Sequence, residues 1–370
     1  MSSLKADETF YSLALINTPG IGHATAKFVL SHFPDLSEVF CASKKNLSKI
    51  PGIGEKAISG IRKKDGLSTA EKILSDSRKK EIDIIPFHSD NYPHKLRQII
   101  DAPFVLYYRG NLDLGYQKSL GIVGTRDASH YGKIITQQII TDMVSQNPVI
   151  ISGLAYGIDI EAHKTSLSEG LNTIAVLAGG LDRVYPSIHQ KTADRMLDQG
   201  GLISEQPPGT KSDAHLFPAR NRIISGLADA LVVVEAKEKG GALITAALSD
   251  SYNRPVFAVP GNLNQQTSTG CNKLIRDQKA LIYTGAKDFS YQLNWDDAND
   301  KVVPLKNLHE LSPDESKVYG LLLDHLTGIS IDDLAWKSKI QINLLSSILL
   351  SLEFKGLAKP LPGKKYLGTN

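Results

Sequence analysis

The sequence predicts an α/β protein whose main domain is a mostly parallel, doubly wound sheet of the Rossmann-like kind. Six short runs rich in valine, isoleucine and leucine recur through residues 118–290, and stretches of helix length separate them. Buried parallel strands have this continuous apolar character, and their alternation with helices is typical of βαβ units. The predicted strands are Ser119–Val123, Val149–Ser152, Thr173–Leu177, Gly201–Ser204, Ala230–Val234 and Pro255–Val259.

Smaller modules flank the predicted sheet. Residues 1–80 read as a small all-α domain, residues 81–295 contain the Rossmann-like domain, and an Asp/Asn-rich stretch predicts a linker at 296–308. Residues 309–370 read as a winged-helix-like domain, since three helices precede a short ribbon. The near-neutral charge of this last segment argues against strong DNA binding, and a protein-docking or autoregulatory role fits it at least as well. Its predicted elements are helices Pro313–Leu326, Ile331–Ser338 and Ile342–Phe354, and hairpin Lys355–Leu367.

Composition excludes several classes of protein. Of 370 residues, 41% are hydrophobic and 22% charged, as in ordinary globular proteins, and no run is long enough to span a bilayer. The first residues contain early acids and no apolar core of a secretory signal. Cys41 and Cys271 lie far apart, without the spacing of metal ligands, so we expect neither a disulfide framework nor a zinc site. We therefore predict a cytoplasmic protein without a membrane anchor, a metal or another cofactor.

The net charge of +3 is a weak sign of a polyanionic partner, but its distribution is informative. Residues 1–80 contain 13 lysines and arginines against 8 acids, so the basic excess lies in the N-terminal segment. The central segment is close to neutral. If it binds a polyanion, it must do so through a local patch.

The N-terminal segment contains a Pro-Gly-Ile-Gly phrase twice, at 19–22 and at 51–54. Each phrase lies between helix-like stretches, and this pattern resembles a tandem helix-hairpin-helix domain. Glycine allows the turn, and the following helix N-terminus directs free N–H groups at an anion such as a DNA phosphate. The alternative is a tight turn that only packs two helices. The predicted DNA contacts here are Gly20, Gly22, Lys27, Gly52, Gly54 and Lys56.

Two motifs of the central domain indicate a phosphate or nucleic-acid site. Gly124-Thr125-Arg126 follows a predicted strand, where N–H groups, a hydroxyl and a guanidinium can converge on a phosphate. Phe217 precedes Arg220-Asn221-Arg222. Arginine pairs with phosphates and stacks on bases, and an aromatic ring provides a further surface for base stacking. The alternative is that Arg220 or Arg222 forms a buried ion pair, for example with Glu205 or Glu235. Neither the G-x-G-x-x-G dinucleotide motif nor a Walker A loop occurs.

The order of these and other motifs closely resembles the DNA-processing protein A family, also called Smf. The resemblance covers the whole central domain, and the flanking modules fit family members that have such extensions. The motifs are Gly-Thr-Arg at 124–126, Ser-Gly-x-Ala-x-Gly-Ile-Asp at 152–159, Gly-x-Asp-x-x-Tyr-Pro at 180–186, Ser-Glu-x-Pro-Pro-Gly at 204–209, Phe-Pro-Ala-Arg-Asn-Arg at 217–222 and Ala-Val-Pro-Gly at 258–261.

This resemblance implies a protein that binds single-stranded DNA during natural transformation, protects it and helps to load the RecA recombinase. It also implies displacement of single-strand-binding protein and a homodimer formed through the Rossmann-like domain. Family lysines after Tyr-Pro and before Phe-Pro are displaced here, so Lys191 and Lys211 are their predicted substitutes. The full set of predicted central DNA contacts is Gly124, Thr125, Arg126, Gly153, Lys191, Lys211, Phe217, Arg220, Asn221 and Arg222.

Two other functions compete with DNA binding. The glycine-rich loops also resemble nucleotide phosphoribohydrolases, but Leu248 stands where their catalytic glutamate is needed and performs no acid–base chemistry. His163 near Asp159 imitates a general-base pair, but a structural hydrogen bond or a helix-dipole cap is the favoured interpretation. Asp182 and Glu235 read as supports for the arginines. A scaffold that binds only proteins fits the terminal modules but leaves the arginine motifs without a role. We therefore predict a protein that is not an enzyme.

Overall fold

The computed structural model describes residues 2–295, 311–323, 325, 328–355, 357–361 and 365–368. The chain forms two compact units, Met1–Ala298 and Asn299–Asn370. The predicted linker at 296–308 lies outside the described residues, and the predicted domain boundaries stay predictions. No helix in the described part is long and apolar enough to cross a membrane.

The centre of the first unit is a nine-stranded sheet with the order β1-β2-β6-β5-β4-β3-β7-β8-β9. All neighbouring pairs from β6 to β9 in this order are parallel, whereas β2 pairs antiparallel with both β1 and β6. The predicted mostly parallel sheet is confirmed. The strands are β1 (Asp83–Pro86), β2 (Val105–Gly110), β3 (Ser119–Val123), β4 (Val149–Ser152), β5 (Thr173–Leu177), β6 (Gly200–Ser204), β7 (Ala230–Val233), β8 (Val256–Ala258) and β9 (Leu281–Ile282).

Every residue of β3 to β8 is buried, because helices cover both faces of this sheet. One face packs against α7, α11, α12 and α13, and the other packs against α8, α9 and α14. The sheet is therefore doubly wound. The helices are α7 (His94–Arg97), α8 (His130–Asp142), α9 (Ile158–Ser168), α10 (Gln190–Asp198), α11 (Leu216–Leu227), α12 (Gly241–Ser251), α13 (Thr269–Arg276) and α14 (Lys287–Leu293).

Six helices precede the sheet and share a hydrophobic core with residues of β2, β5 and α10. Gly20 and Gly52 have φ angles of +88° and +77°, which favour glycine. Gly22 and Gly54 are the N-cap residues of α2 and α5. The helix-hairpin-helix prediction is confirmed. The helices are α1 (Ser2–Ile16), α2 (His23–His32), α3 (Leu36–Val39), α4 (Lys44–Leu47), α5 (Glu55–Lys63) and α6 (Leu67–Lys79).

The second unit has its own apolar core and a three-stranded sheet of order β10-β12-β11. Three helices and a ribbon give the predicted winged-helix arrangement. Ser312 and Glu315 cap its first helix reciprocally: the Glu315 carboxylate accepts from the Ser312 N–H, and the Ser312 hydroxyl accepts from the Glu315 N–H. Its elements are α15 (Pro313–Leu323), β10 (Ile329–Ser330), α16 (Ile331–Ser338), α17 (Ile342–Phe354), β11 (Ala358–Leu361) and β12 (Lys365–Gly368).

His163 on α9 is fully buried beneath the sheet. Its Nδ1 lies 2.7 Å from the Thr173 hydroxyl, and that hydroxyl donates to the Ile150 carbonyl. His163 therefore makes a structural hydrogen bond, with Thr173 rather than Asp159. Burial lowers its pKa to about 3, and nearby His189 and Arg220 contribute to the shift. The imidazole is thus neutral at pH 7.

We predict that His163→Phe makes unfolding less dependent on pH between 7 and 5. An unfolded histidine gains a proton below its ordinary pKa of about 6.5, while the buried one stays neutral until about pH 3. The free energy of unfolding therefore decreases as the pH is lowered, and His163 accounts for about 2 kcal/mol of the decrease between pH 7 and 5. Urea unfolding at both pH values measures this difference. The exposed His94, changed to Gln, is the control, and an equal loss in His163→Phe and wild type would contradict the prediction.

Candidate nucleic-acid interface

A cleft of about 720 Å³ opens at the carboxyl ends of β3 and β7. From β3 the chain builds the sheet outwards through β4, β5 and β6, whereas β7, β8 and β9 extend it in the opposite direction. The cleft therefore lies at the topological switch point, where doubly wound sheets bind their ligands. Loops after β3, β4 and β7 and the first residues of α11 and α12 line it.

The Gly-Thr-Arg loop is fixed on both sides of this switch point. The Thr125 N–H donates to the Glu235 carbonyl at 2.7 Å, and the Thr125 carbonyl accepts from the Ile158 N–H at 3.2 Å. Gly124 is glycine because a Cβ there would lie 2.5 Å from the Ile158 side chain. The predicted Gly124 and Thr125 thus line the cleft and also brace the loop. They hold Arg126 at its rim.

Arg126 is exposed, and its guanidinium carbon lies 5.4 Å from the centre of the Phe217 ring. Within the described residues no carboxylate forms an ion pair with Arg126, whereas the adjacent Asp127 pairs with Lys237 at 3.5 Å. Tyr185 meets the Phe217 ring edge-on with centroids 5.9 Å apart. The structure therefore brings together a free guanidinium and two aromatic rings.

The predicted contacts Phe217, Arg220, Asn221 and Arg222 all lie on helix α11. Helix geometry separates them, because each residue advances the side-chain direction by about 100°. Phe217 and Asn221, four residues apart, both line the cleft. The Asn221 amide donates weakly to the Gly241 carbonyl at 3.4 Å.

Arg220 also borders the cleft but is only 6% exposed. Its Nη1 donates to the Gly153 carbonyl at 2.8 Å and to the Val176 carbonyl. Burial lowers its pKa to about 10, and Asp159 partly opposes this shift, so the side chain stays charged at pH 7. Arg220 therefore joins α11 to the ends of β4 and β5, and its guanidinium is occupied by the protein itself.

Gly153 serves this buried arginine. A Cβ at Gly153 would lie 2.4 Å from Arg220 Nη1 and 2.6 Å from Nη2. The Gly153 N–H donates to the Asp159 carboxylate at 3.2 Å. Both polar groups of its backbone therefore hold the arginine and its counter-charge, and Gly153 is not among the residues that line the cleft.

Arg222 lies away from the cleft, in the ion pair that was the alternative in the sequence analysis. It forks onto the Glu205 carboxylate, and its Nε donates to the Asp101 carbonyl at 3.0 Å. Glu205 also meets His23 Nε2 of helix α2 at 2.8 Å. Burial alone would raise the pKa of Glu205, but hydrogen bonds from His23 and Arg222 outweigh it and lower that pKa to about 2. Arg222 thus fastens α11 to the N-terminal helices.

Two lysines of the cleft were missed by sequence reasoning. Lys237 and Lys239 line it directly after β7, and Gly240 and Gly241 follow at the start of α12. The sequence signal was two lysines and a Gly-Gly pair after a predicted strand, while the position of that strand beside the Gly-Thr-Arg strand comes from the sheet topology. A pair of lysines before a helix N-terminus at a switch point favours anion binding.

The two substitute lysines occupy different places. Lys211 is exposed in the connection between β6 and α11, next to Ser212, which lines the cleft. Lys191 lies on α10 in a separate groove formed with α8 and α9. The structure therefore brings Lys211 close to the cleft but not Lys191.

The two N-terminal hairpins also differ. His23, the first residue of α2, accepts from the Phe104 N–H at 3.0 Å, and Lys27 donates to the Ile100 carbonyl at 3.3 Å. The first turns of α2 thus contact the central domain, whereas Gly20 and Gly22 before this helix are exposed. In the second hairpin, Gly52, Gly54 and Lys56 are exposed.

Two acids do not support arginines, contrary to the interpretation from sequence. The Glu235 carboxylate accepts from the Ser129 N–H and hydroxyl and from the Thr267 hydroxyl. The Asp182 carboxylate accepts from the Gly209 N–H at 2.7 Å and pairs with Lys80 at 2.9 Å. Both fix loops at the carboxyl edge of the sheet.

Fold and site together define a class: Rossmann-like proteins with a cationic, aromatic cleft at the switch point and helical modules at both ends. The model for DNA recombination-mediator protein A matches residues 83–294, the SAM-like helix-hairpin-helix tandem matches 12–64, and the DprA winged helix domain matches 304–364. The chain belongs to the DNA recombination-mediator protein A family, which confirms the resemblance found in the sequence.

Individual relatives agree with this assignment. The chain is 32% identical to Protein Smf of Synechocystis sp. over 97% of this chain and 98% of that protein. It is 40% identical to DNA processing protein DprA of Bacillus subtilis over 59% of this chain and 74% of that protein. The crystal structure of DprA from Streptococcus pneumoniae superposes with a TM-score of 0.68 at 32% identity, covering 77% of this chain and 97% of that one.

A structure of DNA processing protein A from Helicobacter pylori, solved to describe how that protein binds single-stranded DNA, superposes with a TM-score of 0.53. It is 28% identical and covers 58% of this chain and 96% of that one.

We predict that Gly153→Ala destabilises the protein by about 1–3 kcal/mol, because the new methyl group displaces the buried Arg220 guanidinium from its carbonyl partners. Thermal or urea unfolding measures the effect. Gly285→Ala is the matched control, since a Cβ at Gly285 meets nothing within 4 Å. Equal stability of the two variants would contradict the role assigned to Arg220.

Proposed function

We propose that this protein binds single-stranded DNA in the switch-point cleft and acts in DNA processing. The observation that carries the proposal is Arg126, an exposed guanidinium without an ion pair in the described part of the chain, held over the Phe217 ring. An arginine so placed offers its N–H groups to a phosphate, while the aromatic ring offers a surface to a base. Phosphate and base of one nucleotide can then be held together.

The other groups of the cleft support this assignment. Lys239 adds positive charge to the cleft, Lys237 lies there in an exposed 3.5 Å pair with Asp127, and the N-terminus of α12 adds N–H groups. We assign Arg126, Phe217, Asn221, Lys237 and Lys239 to direct contact, and Lys211 to the approach.

Single strands are favoured over duplex by the arrangement of these groups. Phe217 and Tyr185 reach a ligand only through an unpaired base, since bases in a duplex are stacked on one another. Duplex DNA presents its phosphates alone to the rim. The related Helicobacter pylori protein, whose structure describes a single-stranded DNA binding mode, supports the same choice.

The biological role extends this proposal. We propose that the bound strand is protected and passed to RecA during natural transformation, with displacement of single-strand-binding protein, by a homodimer in the cytoplasm. The family description as a recombination mediator supports this role. The second hairpin, with Gly52, Gly54 and Lys56 exposed, adds nonspecific DNA affinity within the same proposal.

We further propose that the protein acts by binding and not by catalysis. Leu248 occupies the place of the phosphoribohydrolase glutamate on α12, and His163 is buried with its Nδ1 bound to Thr173. Neither residue offers an acid or base to a ligand in the cleft. Release of free base from nucleoside monophosphates would favour the hydrolase instead.

We predict that Arg126→Ala weakens oligo-dT binding at least about tenfold, because a charge-assisted phosphate contact and its counterion release are lost. Fluorescence anisotropy across a salt series measures this, and the salt dependence becomes shallower by about one phosphate contact. Arg276→Ala removes an exposed arginine that pairs with its neighbour Asp277, and serves as control. Unchanged affinity in Arg126→Ala, or equal affinity of wild type for duplex, would refute the proposed site.

We predict that the wild-type protein accelerates RecA filament formation on DNA coated with single-strand-binding protein, whereas Arg126→Ala does so less. The mediator must hold the strand while the coat is displaced, so weaker strand binding reduces loading. RecA ATP hydrolysis on the coated strand measures filament formation. Equal acceleration by wild type and Arg126→Ala would show that RecA loading does not depend on strand binding in the cleft.

A further inference from the structure

Exposed apolar side chains continue along the carboxyl edge of the sheet beyond the cleft. Tyr185 and Ile188, in the connection after β5, are 54% and 74% exposed, and Tyr156, in the loop after β4, is 47% exposed. Exposed apolar groups that lie together at one edge, unlike scattered ones, mark surfaces where a partner binds. The sheet core does not require them, since none of the three lies in its buried clusters.

These side chains connect physically to the cleft. Phe217 in the cleft meets Tyr185, and the segment from Tyr185 leads into the short 3-10 turn Ser187–His189. The His189 ring packs edge-on against Tyr156, with centroids 5.1 Å apart. Buried His189 also bonds the Leu154 carbonyl through Nδ1 at 2.8 Å. The loops after β4 and β5 are thus fastened together, and both tyrosines keep defined positions.

Basic residues lie where this row ends. Lys191 is the second residue of α10. Together with Lys164 and Arg195 it lines a groove of about 670 Å³. In the described part of the chain these three cations form no ion pair. The groove also contains Glu161, which accepts from the Gln137 amide, and Glu169. Cations therefore exceed acids by three to two there.

We propose that the single strand leaves the cleft across Tyr185 and Tyr156, whose rings stack on successive bases, and that its phosphates then reach Lys164, Lys191 and Arg195. This inference rests on the proposed function, because the cleft is where the strand begins. The row adjoins the cleft, its aromatic rings are exposed, and basic residues lie at its far end. A single strand needs both kinds of group, since its bases stack on aromatic rings and its phosphates pair with cations. Lys191, remote from the cleft, acquires a role as a distal phosphate contact.

The test compares short and long oligo-dT on Tyr156→Leu and Tyr156→Phe. The leucine variant loses the ring, whereas the phenylalanine variant keeps it. Long oligonucleotides should bind Tyr156→Leu about fivefold or more weakly, as expected for the loss of one stacked base. Short ones confined to the cleft should bind normally, and Tyr156→Phe should bind both normally. Tyr291→Leu, which removes an 87% exposed tyrosine of α14, is the matched control.

A second measurement uses the unmodified protein and so does not depend on the folding of a variant. Wild type should bind a long oligo-dT more tightly than one of equal length whose outer nucleotides lack bases. This preference should become weaker in Tyr156→Leu, because one of the two rings that stack on those bases is absent. Thermal unfolding confirms that the variant is folded.

The outcomes separate the two proposals. If Arg126→Ala is defective while Tyr156→Leu binds long oligonucleotides normally, the row beyond the cleft is not a DNA path and the cleft still is. Equal weakening of short and long oligonucleotides by Tyr156→Leu also overturns the extended path. If wild type binds no oligo-dT, the proposed function itself fails. Full retention of the abasic preference in Tyr156→Leu would indicate that the exposed row serves a protein partner instead.

Discussion

The carboxyl edge of the central sheet depends on one buried cation, Arg220. Moving a charge from water into a protein interior costs several kcal/mol unless the protein replaces the lost hydrogen bonds. Here the Gly153 and Val176 carbonyls accept from the guanidinium, and Asp159 supplies the opposite charge. Arg220 lies on α11, and these partners come from the loop after β4, from β5 and from α9, so satisfying the arginine joins four parts of the chain. The cleft residues project from this fixed frame.

Helix α11 uses its neighbouring polar residues for three separate tasks. Phe217 and Asn221 face the cleft, Arg220 points into the protein, and Arg222 pairs with Glu205 beside helix α2. Successive directions about 100° apart account for this division. The segment looks like one cationic patch in the sequence, but its residues have three different roles in the structure. Phe217 and Asn221 line the cleft, Arg220 bonds buried carbonyls, and Arg222 attaches α11 to the N-terminal helices through Glu205.

The sheet was predictable from sequence, because its buried strands are short, apolar and separated by helix-sized spacers. All six predicted strands occur within a residue or two of their predicted bounds. The antiparallel addition of β1 and β2 was not predicted, since pairing across the sheet edge depends on contacts distant in sequence. The Gly-Thr-Arg loop was also predictable as a cleft element, because it directly follows a central strand.

The direction of individual cations could not be predicted. Lys27, Arg220 and Arg222 carry the same charge as Arg126, yet the first bonds a carbonyl of the central domain and the other two have internal partners. Composition records a charge but not the carboxylate or carbonyl that it meets after folding. Conversely, Lys237 and Lys239 enter the cleft only because β7 lies beside β3, a neighbour relation set by the crossover at the switch point.

The same distinction explains how a nearly neutral domain can hold a polyanion as proposed. Cations that have carboxylate or carbonyl partners add little to long-range attraction, so the free ones decide where a strand binds. Arg126 stays free because the Thr125 backbone, and not the arginine, makes the contacts that close the loop. Its guanidinium rests on an aromatic face that leaves its N–H edge open. A site built this way gains affinity from a few well-placed charges and gains its preference for unpaired bases from the rings beside them.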